Sequence, residues 1–357
     1  MKILYVAIMY DQGNPARGYS FEHVNFYKSL VALDASKHKI VYFPFDVVMQ
    51  KEGRDKMNEE LLELTVKEKP DLCFVGMLDD EIKKETFKKI MSSGIVTFGW
   101  FGDDLWRFDS YSRYYAPCLS WTATTDPSAL EKYNKIDYKK AIYAPSAANT
   151  DIFKPVSNEK KIDVSFVGSW TKKRGEIIDL IKKSGIPIQV YGGGWPGGRV
   201  SDDELVRIIS ESKISVDLSL PSGHIGFKPL ARLFFKRYGF NRSIFHIKPD
   251  FWNFFANIRE WRQKSIPQLK ARIFEIPACR TMLITQNMNY LGSHYNIGTE
   301  IVSYSDTKDL IEKIKYYLSH DRERKAIAER GYERTIRDHS YQKRFKDLFA
   351  KMGLENR

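Results

Sequence analysis

Strand-like and helix-like segments alternate along almost the whole chain, an arrangement typical of α/β proteins with parallel sheets. Short apolar runs such as KILYVAIM and DLCFVGML are separated by stretches with helical spacing such as FEHVNFYKSLVAL and DEIKKETFKKIMSS. The alternation pauses at a polar, proline-containing stretch, residues 144–161, and restarts with IDVSFVGSW. The sequence therefore predicts two successive Rossmann-like domains joined by a linker.

The length of 357 residues agrees with two domains, since one domain usually has roughly 150 residues. We expect an N-terminal domain over 1–148 and a C-terminal domain over 149–338, with the two facing a central cleft. The last stretch, 339–357, is expected to form a helix that packs back toward the N-terminal domain. The same pattern fits periplasmic-type binding proteins and some epimerases, so the fold alone does not give the function.

Charge and cysteine content narrow the class of protein. The formal net charge of +12 favours anionic partners such as phosphates, lipid head groups or nucleic acid. The three cysteines are far apart and form no CxxC pair, which predicts buried thiols in a reducing compartment rather than disulfides or a zinc site. The N-terminal apolar run is too short for a signal peptide or a membrane span. We therefore expect a cytoplasmic protein.

One segment, 222–266, interrupts the alternation between a strand and the helix that should follow it, so it is predicted as an insertion in the C-terminal domain. It holds nine Lys and Arg residues and eleven aromatic residues, but only two acidic residues, Asp250 and Glu260. Three interpretations stay open: a helical subdomain with its own aromatic core, an element that recognises an acceptor or makes peripheral contact with the inner face of the membrane, and a nucleic-acid surface. Nucleic acid is the least favoured of these.

Two loops at predicted strand ends of the C-terminal domain could bind an anionic ligand, because helix N-termini and loop N–H groups lie there. In VGSWTKKRGE, Gly168 and Ser169 are followed by the cations Lys172 and Arg174, which would face a diphosphate; the alternative is a solvated basic turn. In YGGGWPGG, residues Gly193 and Gly194 allow close backbone approach, and Trp195 offers a flat surface to a base or sugar. A mobile surface loop is the alternative there.

A third candidate lies in QLKARIFEIPAC, where Glu275 stands near a predicted helix start after Lys270 and Arg272. A carboxylate in that position gains from the helix dipole and could accept hydrogen bonds from the two hydroxyls of a ribose. A Glu that merely stabilises the first helical turn is the alternative. By itself this residue would not indicate a site.

The N-terminal domain offers two loops. Asp103 and Asp104 follow the fourth predicted strand and could act as a general base or accept sugar hydroxyls, with a helix N-cap as the alternative for one of them. After the first strand, Gly13, Arg17 and His23 are expected on the acceptor side, Arg17 near an anionic group and His23 as an early helical residue. No further His or carboxylate completes a metal site, so none is predicted.

From Lys270 onward the sequence resembles the C-terminal half of CgeB-like (spore-maturation type) glycosyltransferases, relatives of the group 1 family. The resemblance rests on KARIFEIPAC, EIVSYSDTKDLIEKIKYYL and RKAIAERGYERTIRDHSYQKR, together with APSAANTDIFKP, DVSFVGS and VYGGGW. It covers roughly 200 residues from Ala144, and the N-terminal half matches mainly through WFGDD. A departure is Arg280, where the family usually has glycine.

The resemblance implies a GT-B fold, a nucleoside-diphosphate-sugar donor, and no required metal or bound cofactor. It implies that Glu275 holds the donor ribose, that residues 169–174 face the diphosphate, and that residues 193–195 lie beside the nucleotide. Lys172, Arg174, Lys270 and Arg272 would then stabilise the departing diphosphate. The acceptor (a saccharide, a lipid-linked sugar or a protein) stays open. The competing functions are a non-catalytic nucleotide- or sugar-binding protein and a sugar-nucleotide epimerase.

Overall fold

In the computed structural model, residues 1–33, 36–220, 230–238 and 246–355 are described, and the chain forms two compact units. Unit 1 comprises Met1–Pro145, Ser222–Ile266 and Arg344–Arg357, and unit 2 comprises Ser146–Pro221 and Pro267–Lys343. The first boundary thus follows Pro145, inside the predicted linker over residues 144–161. Each unit is a parallel α/β sheet covered by helices, as the alternation of segments predicts.

The sheet of unit 1 has six parallel strands in the order β2-β1-β3-β4-β5-β6. They are β1 Lys2–Ala7, β2 Lys39–Pro44, β3 Leu72–Gly76, β4 Val96–Phe101, β5 Trp121–Thr124 and β6 Ala141–Tyr143. The helices are α1 Lys28–Val31, preceded by a π-helical turn over Glu22–Tyr27, then α2 Phe45–Glu68, α3 Lys84–Ser92, α4 Asp104–Arg107, α5 Arg113–Tyr115 and α6 Ala129–Lys135. The central strands are apolar throughout because helices cover both faces of the sheet.

The sheet of unit 2 has five parallel strands in the order β13-β12-β9-β7-β8. They are β7 Ile162–Val167, β8 Ile188–Tyr191, β9 Ser212–Asp217, β12 Met282–Gln286 and β13 Val302–Tyr304. Helices α7 Lys172–Lys183, α8 Asp202–Glu211, α10 Arg272–Ala278, α11 Thr307–Ser319 and α12 Asp321–Asp338 pack around it. Ser201 caps α8 by accepting a hydrogen bond from the backbone N–H of Glu204, as the Ser-x-x-Glu pattern predicts.

The last helix, α13 Tyr341–Lys351, supplies an aromatic anchor to unit 1. Phe345 is fully buried and packs edge-on against Phe26, Phe74 and Trp100. These contacts account for the assignment of the chain from Arg344 onward to unit 1. Among the described residues, none of the helices combines the length and apolar character that crossing a bilayer requires.

The insertion differs from its predicted place. Sequence order predicts that 222–266 belongs to the C-terminal domain, but its described residues pack with unit 1. They form an antiparallel hairpin, β10 Phe235–Tyr238 with β11 His246–Pro249, and the helix α9 Phe254–Gln263. Helix α9 lies on the 104–112 segment, where Ser110 donates a 2.7 Å hydrogen bond to Glu260 and Lys264 lies 4.0 Å from the centre of the Trp106 ring. These side-chain contacts, not chain order, decide where the insertion packs.

Candidate functional site

The loops after β7 and β8 lie against each other at the carboxyl edge of the unit 2 sheet. Gly168 donates a 2.9 Å hydrogen bond to the carbonyl of Tyr191, and the Trp170 N–H donates a 2.8 Å bond to the carbonyl of Gly193. Gly192 has φ +130°, and a Cβ there would meet the Gly168 carbonyl oxygen at 2.2 Å. Glycine is therefore required at this position for the two predicted ligand loops to approach each other.

The sequence predicts Trp195 as the flat surface for a ligand, whereas in the structure Trp170 is the exposed tryptophan of these two loops. Trp195 is part-buried against the core, and its indole N–H donates a 2.8 Å hydrogen bond to the Gly168 carbonyl, so it braces the loops rather than offering its face. Trp170 is 49% exposed and packs beside Gly175 and Gly194, where any Cβ would come within about 3 Å of it. Trp170 is the flat surface that this edge presents.

Arg174 joins the ends of two strands. Its side chain donates hydrogen bonds to the carbonyls of Ser169, at 2.8 Å, and Leu218, at 3.0 Å, and burial lowers the pKa of its guanidinium. Asp217 ends β9 nearby; its carboxylate accepts 2.9 Å bonds from Ser219 and Thr285. Burial raises the pKa of Asp217, and the positive charges of Arg272 and Arg174 oppose that rise. The strand-end cation predicted from sequence is thus held rigidly beside a carboxylate that the sequence reasoning missed.

Two buried polar atoms at the same edge have no hydrogen-bond partner among the described residues: Oε1 of Gln286, at the end of β12, and the hydroxyl of Tyr304, at the end of β13. Burial, together with the negative charge of Asp217, raises the pKa of Tyr304, so this hydroxyl stays protonated. Buried polar groups are nearly always hydrogen-bonded in folded proteins. A polar ligand at this edge would supply the missing partners.

Glu275 lies in the first turn of α10 and is buried, with only 4% of the residue exposed. Its carboxylate pairs with Arg272 at 2.9 Å, and Lys270 is exposed, with its ammonium 3.1 Å from Oε1 of Gln268. Burial raises the pKa of Glu275, the positive charge of Arg272 lowers it, and Asp202 and Asp217 add to the rise. Glu275 therefore belongs to a charged network with Arg272 and Asp217.

Lys172 is the first residue of α7 and is exposed, while the hydroxyl of Thr171 caps the helix by accepting from the Arg174 N–H. Together, the residues of this edge give backbone N–H groups, four cations (Lys172, Arg174, Lys270 and Arg272) and two buried carboxylates, Glu275 and Asp217, around a glycine-walled pair of loops. Such a set matches a ligand with negative charge at one end and hydroxyl groups at the other.

In unit 1, the loop after β1 folds through two short 3₁₀ turns that contain Gly13 and Arg17. Gly13 has φ +64°, and its carbonyl accepts a 2.6 Å hydrogen bond from Gln50. Arg17 pairs with Asp11 at 2.9 Å. The cation predicted to meet an anionic group is thus already paired within its own loop.

His23 and Glu22 follow that loop. The His23 ring is buried and stacks on Tyr19 with ring centres 4.3 Å apart. No described residue partners its Nδ1, and burial lowers its pKa to about 4. His23 is therefore neutral near pH 7, in line with the structural role expected for it. Burial raises the pKa of Glu22 to about 7, and Asp11 and Asp46 contribute to the rise. Glu22 is a candidate general base that the sequence reasoning did not identify.

The two predicted aspartates after β4 separate in the structure. Asp104 is fully buried and accepts hydrogen bonds from the hydroxyls of Ser112 and Tyr133; burial raises its pKa to about 6 against these bonds. It holds the local chain in place, and its side chain is covered by these partners in the structure, so its predicted catalytic role stays a prediction. Asp103 is only part-buried and stands at the N-cap of α4 without a side-chain cap bond. Asp103 is the one of the pair that a ligand could reach.

Within the part of the chain that the structure describes, no group of three His, Cys, Asp or Glu side chains is arranged to hold a metal ion. The three cysteines are buried and unpaired, and Cys73 and Cys279 have pKa values raised by burial to about 12. They are structural residues.

Several residues of the candidate site were not predicted from the sequence, because their roles depend on the directions in which their side chains point. A polar residue ends an apolar strand in SVDLS, LITQN and IVSYS, and this pattern could have identified Asp217, Gln286 and Tyr304 as site residues. Nothing in the sequence distinguishes Trp170 and Glu22 from their neighbours in this way. Their importance appears only when the strand ends are brought together.

Comparisons with known proteins agree with this architecture. Residues 245–350 match the family described as Glycosyl transferase-like. A search of curated protein sequences gave no significant match.

Solved structures match the fold over nearly the whole chain. Sucrose-phosphate synthase from Thermosynechococcus elongatus is 11% identical with a TM-score of 0.60, and the match covers 99% of this chain and 97% of that one. Anabaena HepE in complex with UDP is 8% identical with a TM-score of 0.61, covering 99% and 100%. A glycosyltransferase from Rickettsia africae ESF-5 is 13% identical with a TM-score of 0.60, covering 99% and 98%. The chain therefore has the two-Rossmann-domain fold known as GT-B.

Proposed function

We propose that the protein is a glycosyltransferase that binds a nucleoside-diphosphate sugar at the carboxyl edge of the unit 2 sheet and transfers its sugar to an acceptor hydroxyl, without a metal ion or bound cofactor. The observation that carries the proposal is the set of groups at that edge: close-packed glycine loops, Arg174 and Arg272, and the buried carboxylates of Glu275 and Asp217. The partial match to a glycosyltransferase-like family supports the reaction class.

The residues divide the task by charge. Glu275 and Asp217 accept hydrogen bonds from donor hydroxyls, Glu275 from the ribose. Arg174, Arg272, Lys172 and Lys270 face the diphosphate, with the backbone N–H groups of residues 169, 193 and 194 beside it. Trp170, rather than Trp195, lies against the base or sugar.

The transfer step needs little covalent chemistry from the protein. The bond between the anomeric carbon and the diphosphate oxygen breaks, and the nucleoside diphosphate leaves with the electron pair. The acceptor oxygen bonds to the anomeric carbon, and its proton passes to a base. Cations that meet the developing charge on the diphosphate lower the barrier. Asp103 and Glu22 are the candidate bases in unit 1, and Gly13 and Arg17, in its first loop, and His23, next to Glu22 in the chain, are on the predicted acceptor side.

Among donors, UDP-glucose is the first to test, because HepE structures hold UDP or UDP-glucose on the same fold. The CgeB-like subtype, the sugar and the acceptor class stay predictions. A cytoplasmic location with peripheral membrane contact through the insertion completes the proposal.

A thermal-shift panel tests the proposal. UDP-, GDP-, ADP-, CMP- and dTDP-sugars are each added with EDTA, and a donor at a hundred times its Kd stabilises the protein by about 2.7 kcal/mol. We expect one nucleotide class to raise Tm in EDTA as much as in magnesium. An absence of any shift, or a shift only with magnesium, would overturn this proposal.

Incubation of the stabilising donor alone separates the reaction classes. A transferase leaves the sugar nucleotide unchanged when no acceptor is present and releases nucleoside diphosphate when one is added. An epimerised sugar nucleotide, detected by chromatography, would instead show an epimerase. Binding without release, across the saccharide, lipid-linked and protein acceptors, would show a binding protein.

A further inference from the structure

The insertion carries an aromatic cluster that is exposed among the residues the structure describes. Trp252 is 94% exposed, Phe255 is 83% exposed and Phe251 is 52% exposed. The Phe234 ring lies 6.1 Å from that of Phe251 and 5.2 Å from that of Phe254, and the Phe254 ring lies 5.7 Å from that of Phe255. These phenylalanines therefore form one cluster around the start of α9, and Trp252 follows Phe251 in the chain. Exposed aromatic patches of this kind mark interaction sites.

The opposite side of α9 is anchored to unit 1. Glu260 accepts from Ser110 at 2.7 Å and pairs with Lys264 at 2.7 Å, and buried Asn257 donates to the carbonyl of Leu233 at 3.0 Å. Residues 252, 255, 259 and 262 follow the spacing of one helical stripe, which places Trp252, in the 3₁₀ turn before α9, and Phe255 on the exposed face with Arg259 and Arg262. Arg259 also pairs with Asp109 at 3.2 Å. The helix is thus held by one face and presents aromatic and basic side chains on the other.

The negative charges of the insertion are turned inward. Asp250 is 8% exposed and accepts hydrogen bonds from Asn253, at 2.8 Å, and Asn257, at 2.9 Å. Glu260, the other carboxylate of the segment, is engaged with Ser110 and Lys264. Among the described basic residues of the segment, Arg232 and Arg262 are exposed in addition to the ion-paired Lys248 and Arg259, so the charge presented outward is positive.

We infer that this aromatic and basic face docks the protein on an anionic lipid bilayer, with the Trp252 and Phe255 side chains inserted at the headgroup boundary. The inference extends the proposed function by bringing the enzyme to acceptors held in a membrane. Aromatic rings prefer the interface, and each basic residue near an anionic surface contributes attraction.

The composition of the face favours a bilayer over other partners. Ile247, 59% exposed, and Leu230, 51% exposed, belong to the same segment, and aliphatic side chains cannot stack on nucleic-acid bases but do partition into lipid. A second copy of the chain carries the same formal charge of +12 and would be repelled.

The full-length protein is sedimented with vesicles of phosphatidylcholine containing 30% phosphatidylglycerol, and with pure phosphatidylcholine vesicles, at about 0.1 M and 1 M salt. We expect binding to the anionic vesicles that falls at least tenfold at high salt, with a blue shift of tryptophan emission. Trp252→Ser with Phe255→Ser should weaken binding by at least about tenfold for each aromatic removed. Trp252→Phe should keep binding within a few-fold but lose the blue shift.

Val66→Ser is the matched control, since Val66 is 67% exposed on α2, outside the insertion, and should leave vesicle binding unchanged. Equal binding of the double Ser variant and wild type would overturn the inference. So would binding to a single-stranded oligonucleotide but not to vesicles, or self-association through this face in sedimentation. Without vesicles, the donor should raise the Tm of the double Ser variant as much as that of the wild type. If the donor does not raise the Tm of the wild type, the proposed function fails but the membrane inference does not.

Discussion

Replacing Glu275 with Gln separates a ligand-binding carboxylate from a helix-stabilising one. The carboxylate lies 2.9 Å from Arg272, whose side chain is 26% exposed. Losing one partner of a fully buried pair costs about 3–5 kcal/mol, but water reaches Arg272. Burial also raises the pKa of Glu275, so the carboxylate carries a desolvation cost that an amide does not. We therefore expect the unliganded variant to lose only about 0–2 kcal/mol of stability.

Donor affinity should change more. Hydrogen bonds to a charged acceptor contribute about 1.5–3 kcal/mol, against about 0.5–1.5 kcal/mol for neutral ones. An amide that keeps one acceptor oxygen should then cost about 1–2 kcal/mol of donor binding, which raises Kd roughly five- to thirtyfold. Isothermal titration calorimetry with the donor found by the thermal-shift panel measures this change.

Glu329→Gln is the matched control. Glu329 pairs with Arg280 at 3.2 Å. Arg280 stands just before β12, so this ion pair lies at the amino edge of the same sheet. Its loss should leave donor Kd within twofold of wild type. Unchanged donor affinity in Glu275→Gln, or an equal loss in Glu329→Gln, would refute the assignment of Glu275 to the donor.

Three further predictions concern the supporting structure. Gly192→Ala should destabilise the protein by about 1–3 kcal/mol and weaken donor binding, because its Cβ would meet the Gly168 carbonyl at 2.2 Å, whereas Gly102→Ala, with nothing within 4 Å, should not; urea unfolding of both variants checks this. Glu22→Gln should remove a pH dependence of stability, because the folded-state pKa of Glu22, about 7, lies above its unfolded value near 4.5. The free energy of unfolding of the wild type should therefore fall by up to about 3 kcal/mol as pH rises through that window, and that of the variant should not. If the free energy of unfolding changes with pH equally in both proteins between pH 5 and pH 8, the shift is contradicted. Asp104→Asn should cost about 1–3 kcal/mol of stability through its Ser112 and Tyr133 bonds while Asp103→Asn costs little; if thermal unfolding shows the reverse, the two residues have been assigned the wrong way round.

The fold was predictable because it depends on periodicity. Apolar runs such as IDVSFVGSW and the helical spacing between them require only that strands be buried and helices be amphipathic. The position of the insertion was not predictable, because it depends on a few side-chain contacts, such as Glu260 with Ser110, between residues 150 positions apart.

The candidate site was predictable only in part. Glycines and cations just after a predicted strand, such as Gly168 and Arg174, can be identified as site candidates from their position in the sequence. The division between Trp170 and Trp195, or between Asp103 and Asp104, depends on which side chain turns inward, and adjacent residues in a turn give no periodicity from which to decide. Arg280 is a similar case, because it adopts φ +52°, a conformation that would not strain the glycine usual at this position in CgeB-like glycosyltransferases. Its guanidinium lies 4.4 Å from the centre of the Tyr332 ring, at the amino edge of the sheet and away from the proposed donor site.

Photoaffinity labelling tests most directly where the donor binds. A donor analogue carrying an azide on its base, of the nucleotide class that most raises Tm, is irradiated with the protein, and the adducts are mapped by mass spectrometry with unlabelled donor as competitor. The account predicts competed adducts in the peptides that contain residues 168–175, 192–195 or 272–275. Competed adducts confined to unit 1, or to the amino edge of the unit 2 sheet around Lys160 and Lys213, would contradict it.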